Sequence, residues 1–73
     1  MPYSSRKLGL IIGIKRTNCG MTQEQLSKAA SISRSHLAAL ESGKISPNLD
    51  TFCRIAEALS IKPSQLLAFV END

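Results

Sequence analysis

The sequence is poor in aromatic residues, cysteine and histidine. The shortage of cysteine and that of histidine each exclude a class of protein. Its 73 residues include no tryptophan, one tyrosine, two phenylalanines, two cysteines and one histidine. Cys19 and Cys53 have no CxxC spacing and are too few for the disulfide framework of a small secreted domain. One histidine leaves no ligand set for zinc. We therefore expect reduced thiols, no metal and no cofactor.

Long hydrophobic runs are also missing. The apolar run at residues 8–14 follows Arg6 and Lys7, and so imitates the start of a signal peptide. However, Lys15 and Arg16 come directly after it, and no small-x-small cleavage site comes next. The run is far shorter than the roughly 20 residues that a membrane-spanning helix needs. We expect a cytoplasmic protein with no membrane partner.

Charge is present but unevenly distributed. Residues 1–44 hold seven basic and two acidic side chains, whereas residues 45–73 hold two basic and four acidic ones. Such an asymmetry is typical of a protein with one side facing a polyanion. The same charges could equally be ordinary solvated surface, and composition alone leaves both interpretations open.

The first predicted helix begins near Ser4 or Ser5 and ends at about Asn18, with Gly20 as its stop signal. Gly9 and Gly13 each cost up to about 1 kcal/mol relative to alanine inside a helix. Their spacing of four places both on one face, which another backbone could approach closely. The apolar side consists of Leu8, Ile11, Ile12 and Ile14. A β-strand over residues 8–14 is the alternative.

Two shorter helices follow, joined by a turn of about four residues. Thr22 and Gln25 form a capping box at the start of the second helix, and Ser33 is the N-cap of the third. Gly43 ends the third helix. Predicted buried residues are Leu26, Ala29 and Ala30 in the second helix and Leu37 and Leu40 in the third, with Ile32 anchoring the turn and Ser27 at the helix crossing.

The fourth and fifth helices complete an all-α chain. Asn48 caps a helix over residues 49–59, and Pro63 occupies the first position of a helix over about residues 63–70. The fourth helix has apolar residues Leu49, Phe52, Cys53, Ile55, Ala56 and Leu59. Five short helices therefore account for nearly the whole chain.

The second and third helices suggest a use for the tight turn between them. A helix, a short turn and a second helix form the helix-turn-helix unit, whose second helix lies in the DNA major groove. Residues 34, 35, 38, 39 and 42 point outward and are mostly small, which suits a groove about 12 Å wide. Alanine is also simply a good helix former, so these residues alone do not decide the function.

From about residue 8 to residue 67, the sequence resembles the phage lambda repressor–Cro family of DNA-binding domains (XRE type), including stand-alone restriction–modification controller proteins. The matching stretches are KR…GMTQEQL, SISRSHLAALESGK, SPNLDTFCRIAEALSI and PSQLL. The resemblance implies a compact five-helix domain over residues 1–73, with the helix-turn-helix at about 22–42. It also implies sequence-specific binding of a (pseudo)palindromic double-stranded DNA operator by a dimer that regulates transcription, without catalysis.

The resemblance assigns roles to particular residues. Base-reading positions are Arg34, Ser35 and Ala39; DNA-backbone positions are Gln23, His36, Ser42 and Lys44; Arg16 and Glu41 form a structural ion pair. Gln23 would also brace the recognition helix. Ser31 and Ser60 replace glycines that are usual in the family, and Lys15 replaces an apolar residue and so must lie at the rim of the core.

The side-chain chemistry agrees with several of these roles. The planar fork of Arg34 can bond guanine O6 and N7 together, although a phosphate contact or a plain surface charge is the alternative. His36 fits a phosphate contact or solvated surface equally well, and Arg16 and Glu41 could be two unrelated surface charges. Paired carboxylates, a nucleophile beside a base and a phosphate-cradling glycine loop are all missing, so an enzyme is not expected.

The C-terminal region carries more apolar residues than a short last helix needs. We expect it to form a homodimer interface through Leu66, Phe69 and Val70, with plain core packing as the alternative. We expect no effector-binding domain. The rival function is an antitoxin, or another protein-interaction helical domain that also binds DNA, and it would require a protein partner.

Overall fold

The computed structural model describes residues 4–71, and the predicted all-α fold is confirmed. The five helices are α1 (Ser5–Asn18), α2 (Gln23–Ala29), α3 (Arg34–Glu41), α4 (Leu49–Ala58) and α5 (Pro63–Glu71). The alternative of a strand over residues 8–14 is wrong, because these residues lie inside α1. No helix within residues 4–71 is long and apolar enough to cross a membrane.

Side-chain caps set the helix starts at the predicted positions. The Thr22 hydroxyl accepts from the Gln25 amide at 3.1 Å, and the Gln25 side chain accepts from the Thr22 amide at 2.8 Å. Ser33 caps α3 by accepting from the His36 amide, and Asn48 caps α4. These bonds satisfy amide groups that have no carbonyl partner at a helix N-terminus.

Four helix ends share one backbone motif. Gly20, Ser31, Gly43 and Ser60 all have positive φ, at 72°, 59°, 81° and 61°. After α3, the Gly43 amide donates to the Leu40 carbonyl and the Lys44 amide to the Ala39 carbonyl, which together form a Schellman motif. The same hydrogen-bond pattern recurs at the other three ends. Serine therefore occupies a left-handed conformation at two sites where glycine would be unstrained.

The core lies between all five helices. α3 packs on α1 and α2, α2 packs on α4, and α5 packs on α1 and α4. The buried apolar side chains of this core are Ile12, Leu26, Ala30, Leu37, Leu40, Phe52, Ile55, Ala56, Leu59, Leu66 and Val70. Ile32 is partly buried against this core, as expected for the anchor of the turn. Ser27 is 3% exposed at the contact between α2 and its neighbours.

One burial prediction was wrong, and two apolar residues of other helices are exposed. Ala29 is exposed because the buried side of α2 runs through Leu26, Ser27 and Ala30 instead. Ile14 and Leu49 are 45% and 77% exposed. Periodicity identifies which side of a helix is apolar, but the neighbouring helices decide how much of that side they cover.

The dimer interface predicted in α5 also needs correction. Leu66 and Val70 are 0% and 4% exposed, so they belong to the core of one domain and have almost no surface for a partner. Phe69 remains 43% exposed. The ammonium of Lys15 lies 3.5 Å from the centre of the Phe69 ring, which is the geometry of a cation–π contact. Lys15 is half-buried at the rim, as expected.

Candidate nucleic-acid interface

The two sides of α3 differ sharply in exposure. Leu37 and Leu40 are 0% and 1% exposed and fix the helix to the core. Arg34 and Ser35, in the first turn of α3, are exposed, while Ala39 is half-buried on the same outward side. The three predicted base-reading residues therefore lie on the side of α3 that faces away from its two buried leucines.

The predicted DNA-backbone residues surround this outward side. His36 is half-buried and Lys44 is exposed in the loop that follows α3. Ser42 is exposed, but its hydroxyl donates to the Ala39 carbonyl at 3.0 Å. A phosphate oxygen can only accept, so Ser42 would have to release that bond before it could contact DNA.

Glu41 lies at the centre of a polar network. Its carboxylate accepts from Arg16 Nε at 2.7 Å and from Arg16 Nη2 at 3.1 Å. Gln23 Nε2 donates to the same carboxylate at 3.1 Å. Arg16 Nη1 donates to the Met21 carbonyl at 2.8 Å. The network joins the end of α1, the start of α2 and the end of α3.

Burial strengthens this network. The side chains of Arg16 and Glu41 are 18% and 9% exposed, so their two parallel hydrogen bonds are largely shielded from water. The hydrogen bond to Glu41 raises the pKa of the Arg16 guanidinium above its ordinary value, against the opposing effect of burial. The outward side of α3 is thereby held at a fixed angle to α1 and α2.

The bond between Gln23 and Glu41 was not foreseen as a specific contact. The family pattern gave Gln23 a bracing role without naming its partner. The two residues are separated by the rest of α2, the turn and most of α3, and no spacing rule brings them together. One N–H of the Gln23 amide is engaged by Glu41, which leaves the second N–H to donate elsewhere.

A glycine lets α1 approach the end of α3. A Cβ atom built on Gly9 would lie 2.2 Å from the Leu40 carbonyl oxygen, well inside van der Waals contact. One built on Gly13 would lie 3.3 Å from a Glu41 carboxylate oxygen. The spacing of four predicted a close backbone approach, and it occurs at Gly9.

The loop after α3 is attached to the first turn of α1. The hydroxyls of Ser5 and Ser46 are hydrogen-bonded to each other. A Cβ built on Gly43 would lie 2.7 Å from the Cα atom of Arg6, so the two backbones are in direct contact. Lys44, between these two attachments, is held in a defined position beside the end of α3.

Comparison with known proteins identifies the family. The helix-turn-helix family model matches residues 12–66. A helix-turn-helix transcriptional regulator of Methanothermobacter thermautotrophicus is 34% identical over 58 residues, covering 80% of this chain and 84% of that protein. The ImmF control region 10 kDa protein of Bacillus phage phi105 is 34% identical over 56 residues, or 77% of this chain. This chain spans only 62% of the length of the phage protein.

Solved structures agree with the sequence relatives. The restriction–modification controller protein C.AhdI from Aeromonas hydrophila superposes with a TM-score of 0.82 and 31% identity. The match covers 85% of this chain and 94% of the controller protein. The chain belongs to the XRE-type helix-turn-helix family of DNA-binding transcriptional regulators.

Proposed function

We propose that this protein is a homodimeric transcriptional regulator that binds a specific, two-fold symmetric DNA operator. The observation that carries the proposal is the outward side of α3. Arg34, Ser35 and Ser42 are exposed on this side and Ala39 is half-buried, while the opposite side of the same helix is buried and fixed by the network around Glu41. A rigid helix whose outward side carries mostly small side chains suits the major groove.

Within this proposal, each residue of the outward side has a chemical role. Arg34 forms two hydrogen bonds to guanine O6 and N7, since its guanidinium is planar and exposed at the N-terminal end of α3. Ser35 donates to or accepts from a neighbouring base edge, and Ala39 contacts a thymine methyl group. Gln23, His36 and Lys44 contact the phosphate backbone and set the register without reading sequence.

Dimer formation follows from the size of the site. One such domain reads only a few base pairs, so adequate specificity requires two copies bound about 34–36 Å apart along the DNA. We propose that Leu49 and Phe69 take part in the contact between copies. Leu49 is 77% exposed and borders an apolar cleft lined by Leu8, Phe52 and Leu67. In a two-fold contact the same surface of both copies meets, so the projecting side chain of each copy can enter the cleft of the other.

The decisive experiment is selection of bound sequences from random duplex DNA, followed by affinity measurements across a salt series. We expect a two-fold symmetric consensus with half-sites about one helical turn apart. Weak binding without a consensus would refute sequence-specific recognition and direct the search to a protein partner. Because its ligand is chromosomal or phage DNA, we infer that the protein acts in the cytoplasm.

Sedimentation tests the dimer separately. We expect a dimer on the selected operator, and we expect Leu49→Asp to yield monomers with weaker operator binding and an unchanged unfolding temperature. Leu10→Asp is the matched control for sedimentation alone: Leu10 is 61% exposed on α1 and does not line the cleft beside Leu49, so this variant should remain a dimer. Its operator binding is not compared, because Leu10 borders the depression that contains Arg6 and Ser42. A wild-type protein that stays monomeric both free and on DNA would contradict the proposal.

A further inference from the structure

Arg6 is a basic residue that the helix-turn-helix itself does not use. It lies in the first turn of α1 and is exposed. The nearby sequence resembled the start of a signal peptide, but residues 8–14 are helical and contribute Ile12 to the core. The basic group in front of that run is therefore available for another purpose.

The position of Arg6 is fixed relative to α3. Its backbone contacts Gly43, directly after α3, where a Cβ atom would lie 2.7 Å from the Arg6 Cα. The hydrogen bond between Ser5 and Ser46 holds the same turn of α1 against the loop. Arg6 and Lys44 consequently lie on either side of one backbone contact, next to the end of the recognition helix.

The charges around Arg6 favour an anionic ligand. Arg6 lines a shallow depression between α1 and the end of α3, together with Lys7, Ser42 and Glu41. Among the residues that the structure describes, Glu41 is the acidic residue in that lining, and its carboxylate is already paired with Arg16 at 2.7 Å. The exposed charge at this end of α3 is therefore positive, and Lys44 adds to it.

We propose that Arg6 binds a phosphate of the DNA backbone next to the phosphate bound by Lys44. This inference rests on the proposed function, because it extends the same DNA-binding surface from the helix-turn-helix onto the first turn of α1. A guanidinium can donate two parallel hydrogen bonds to a phosphate, which makes arginine well suited to the contact. The contact adds affinity for every sequence and does not change which bases are preferred.

Salt dependence tests the proposal. Each phosphate contact changes the slope of log affinity against log salt by about 0.9. Arg6→Gln should lower the slope by about one on both the selected operator and an unrelated duplex, and Arg6→Lys should largely restore it. The affinity ratio of wild type to Arg6→Gln should therefore shrink about three- to fourfold between 50 and 200 mM salt. Lys44→Ala should lower the slope by a similar amount, and the double variant by about two.

Lys62→Gln is the matched control. Like Arg6, Lys62 is an exposed cation near a helix N-terminus, but it lies in the connection between α4 and α5. Removing it should leave the slope unchanged. If Arg6→Gln changes the slope no more than Lys62→Gln does, Arg6 is not part of the DNA surface and the proposal is wrong.

Ethylation interference on wild-type protein gives a readout that does not depend on a variant's stability. Ethylating two neighbouring phosphates should weaken binding, and Arg6→Lys should retain both effects. Interference at the Lys44 phosphate without interference at a phosphate next to it would overturn the inference. A symmetric consensus together with an unaltered slope for Arg6→Gln would refute only the Arg6 contact, whereas loss of any consensus in wild type would refute the proposed function.

Discussion

The two sides of α3, a helix of eight residues, have different purposes. On the inner side, Leu37 and Leu40 are buried and Glu41 is hydrogen-bonded to α1 and α2. On the outer side, Arg34 and Ser35 are exposed. The inner side is therefore constrained by packing, which tolerates few changes, whereas the outer side can vary with the ligand that it binds.

This division predicts two separable kinds of variant. Changes on the inner side should lower the free energy of unfolding and leave the base preference of the folded protein unaltered. Changes on the outer side should alter DNA binding without affecting unfolding. The experiments below test whether that separation holds.

The largest effect is expected where α1 meets the inner side of α3. Gly9→Ala would place a Cβ 2.2 Å from the Leu40 carbonyl oxygen and 2.7 Å from that of Glu41. Both atoms belong to the backbone, so α1 and α3 must separate, at a cost of about 3 kcal/mol or more. At about 4–8 °C per kcal/mol for a domain of this size, the unfolding temperature should fall by more than about 12 °C.

Gly13→Ala is the control for this prediction, since it lies on the same face of α1. Its Cβ would meet the Glu41 side chain at 3.3 Å, not a backbone atom. The gain of up to about 1 kcal/mol in helix propensity should offset the small adjustment of that side chain. Equal unfolding temperatures for the two variants would contradict the assigned close contact.

The next effect is expected at the ion pair behind α3. Glu41→Gln should lower the free energy of unfolding by about 2–3 kcal/mol, somewhat less than for a fully buried pair, because Arg16 remains 18% exposed. A double-mutant cycle with Arg16→Gln isolates the pair from the effects of each residue alone. Additive costs in urea unfolding would show that the two side chains do not interact.

The pKa of Arg16 gives the pH dependence of this pair. Glu41 raises that pKa, so the contribution of Arg16 is complete below the ordinary pKa of arginine and is lost only as pH rises through the higher folded value. The cost of Arg16→Gln should consequently be the same at about pH 7 and about pH 9. A cost that vanishes by about pH 9 would contradict the assigned direction.

On the outer side, Arg34→Ala should weaken binding to the selected operator by about 1–3 kcal/mol and relax preference at one base pair per half-site. The unfolding temperature should not change, because Arg34 is exposed. Competition between the operator and single-base variants measures the preference. Equal weakening on every sequence would identify Arg34 as a phosphate contact instead.

The smallest effect is expected at the turn that joins α2 to α3. Ser31 is exposed with a φ of 59°, so Ser31→Gly should relieve backbone strain and stabilise the domain by up to about 1 kcal/mol. Gly20→Ser is the reverse experiment, because a Cβ there meets nothing within 4 Å and only the φ of 72° is unfavourable. It should destabilise by about the same amount. A loss of stability in Ser31→Gly would mean that the serine contributes something other than strain.

The sequence predicted the helices well because their signals are local. The capping box at Thr22, the N-caps at Ser33 and Asn48, and the stop at Gly43 each involve residues within a few positions of one another. Such signals act before any tertiary contact exists, and so they can be found by inspection. Leu37 and Leu40 were likewise placed in the core by their spacing alone.

The candidate site was predicted less completely. The positions of Arg34, Ser35 and Ala39 on one side of α3 follow from helical periodicity. Predictions failed where they depended on how much of a helix its neighbours cover, as at Ala29, Leu66 and Val70. The bond from Gln23 to Glu41 and the ring contact of Lys15 with Phe69 join separate helices, so no local pattern could indicate them.

The sequence by itself determined the five helices, the tight turn and the membership of a DNA-binding family. Capping and periodicity depend on residues close together in the sequence, and the order of the motifs is visible in the sequence itself. Only the tertiary structure decided that Glu41 joins three helices, that Leu66 and Val70 of α5 are buried in the core of the domain, and that Arg6 lies beside the end of α3. These features depend on the angles and distances between helices. Those angles and distances are set by packing among residues far apart in the sequence.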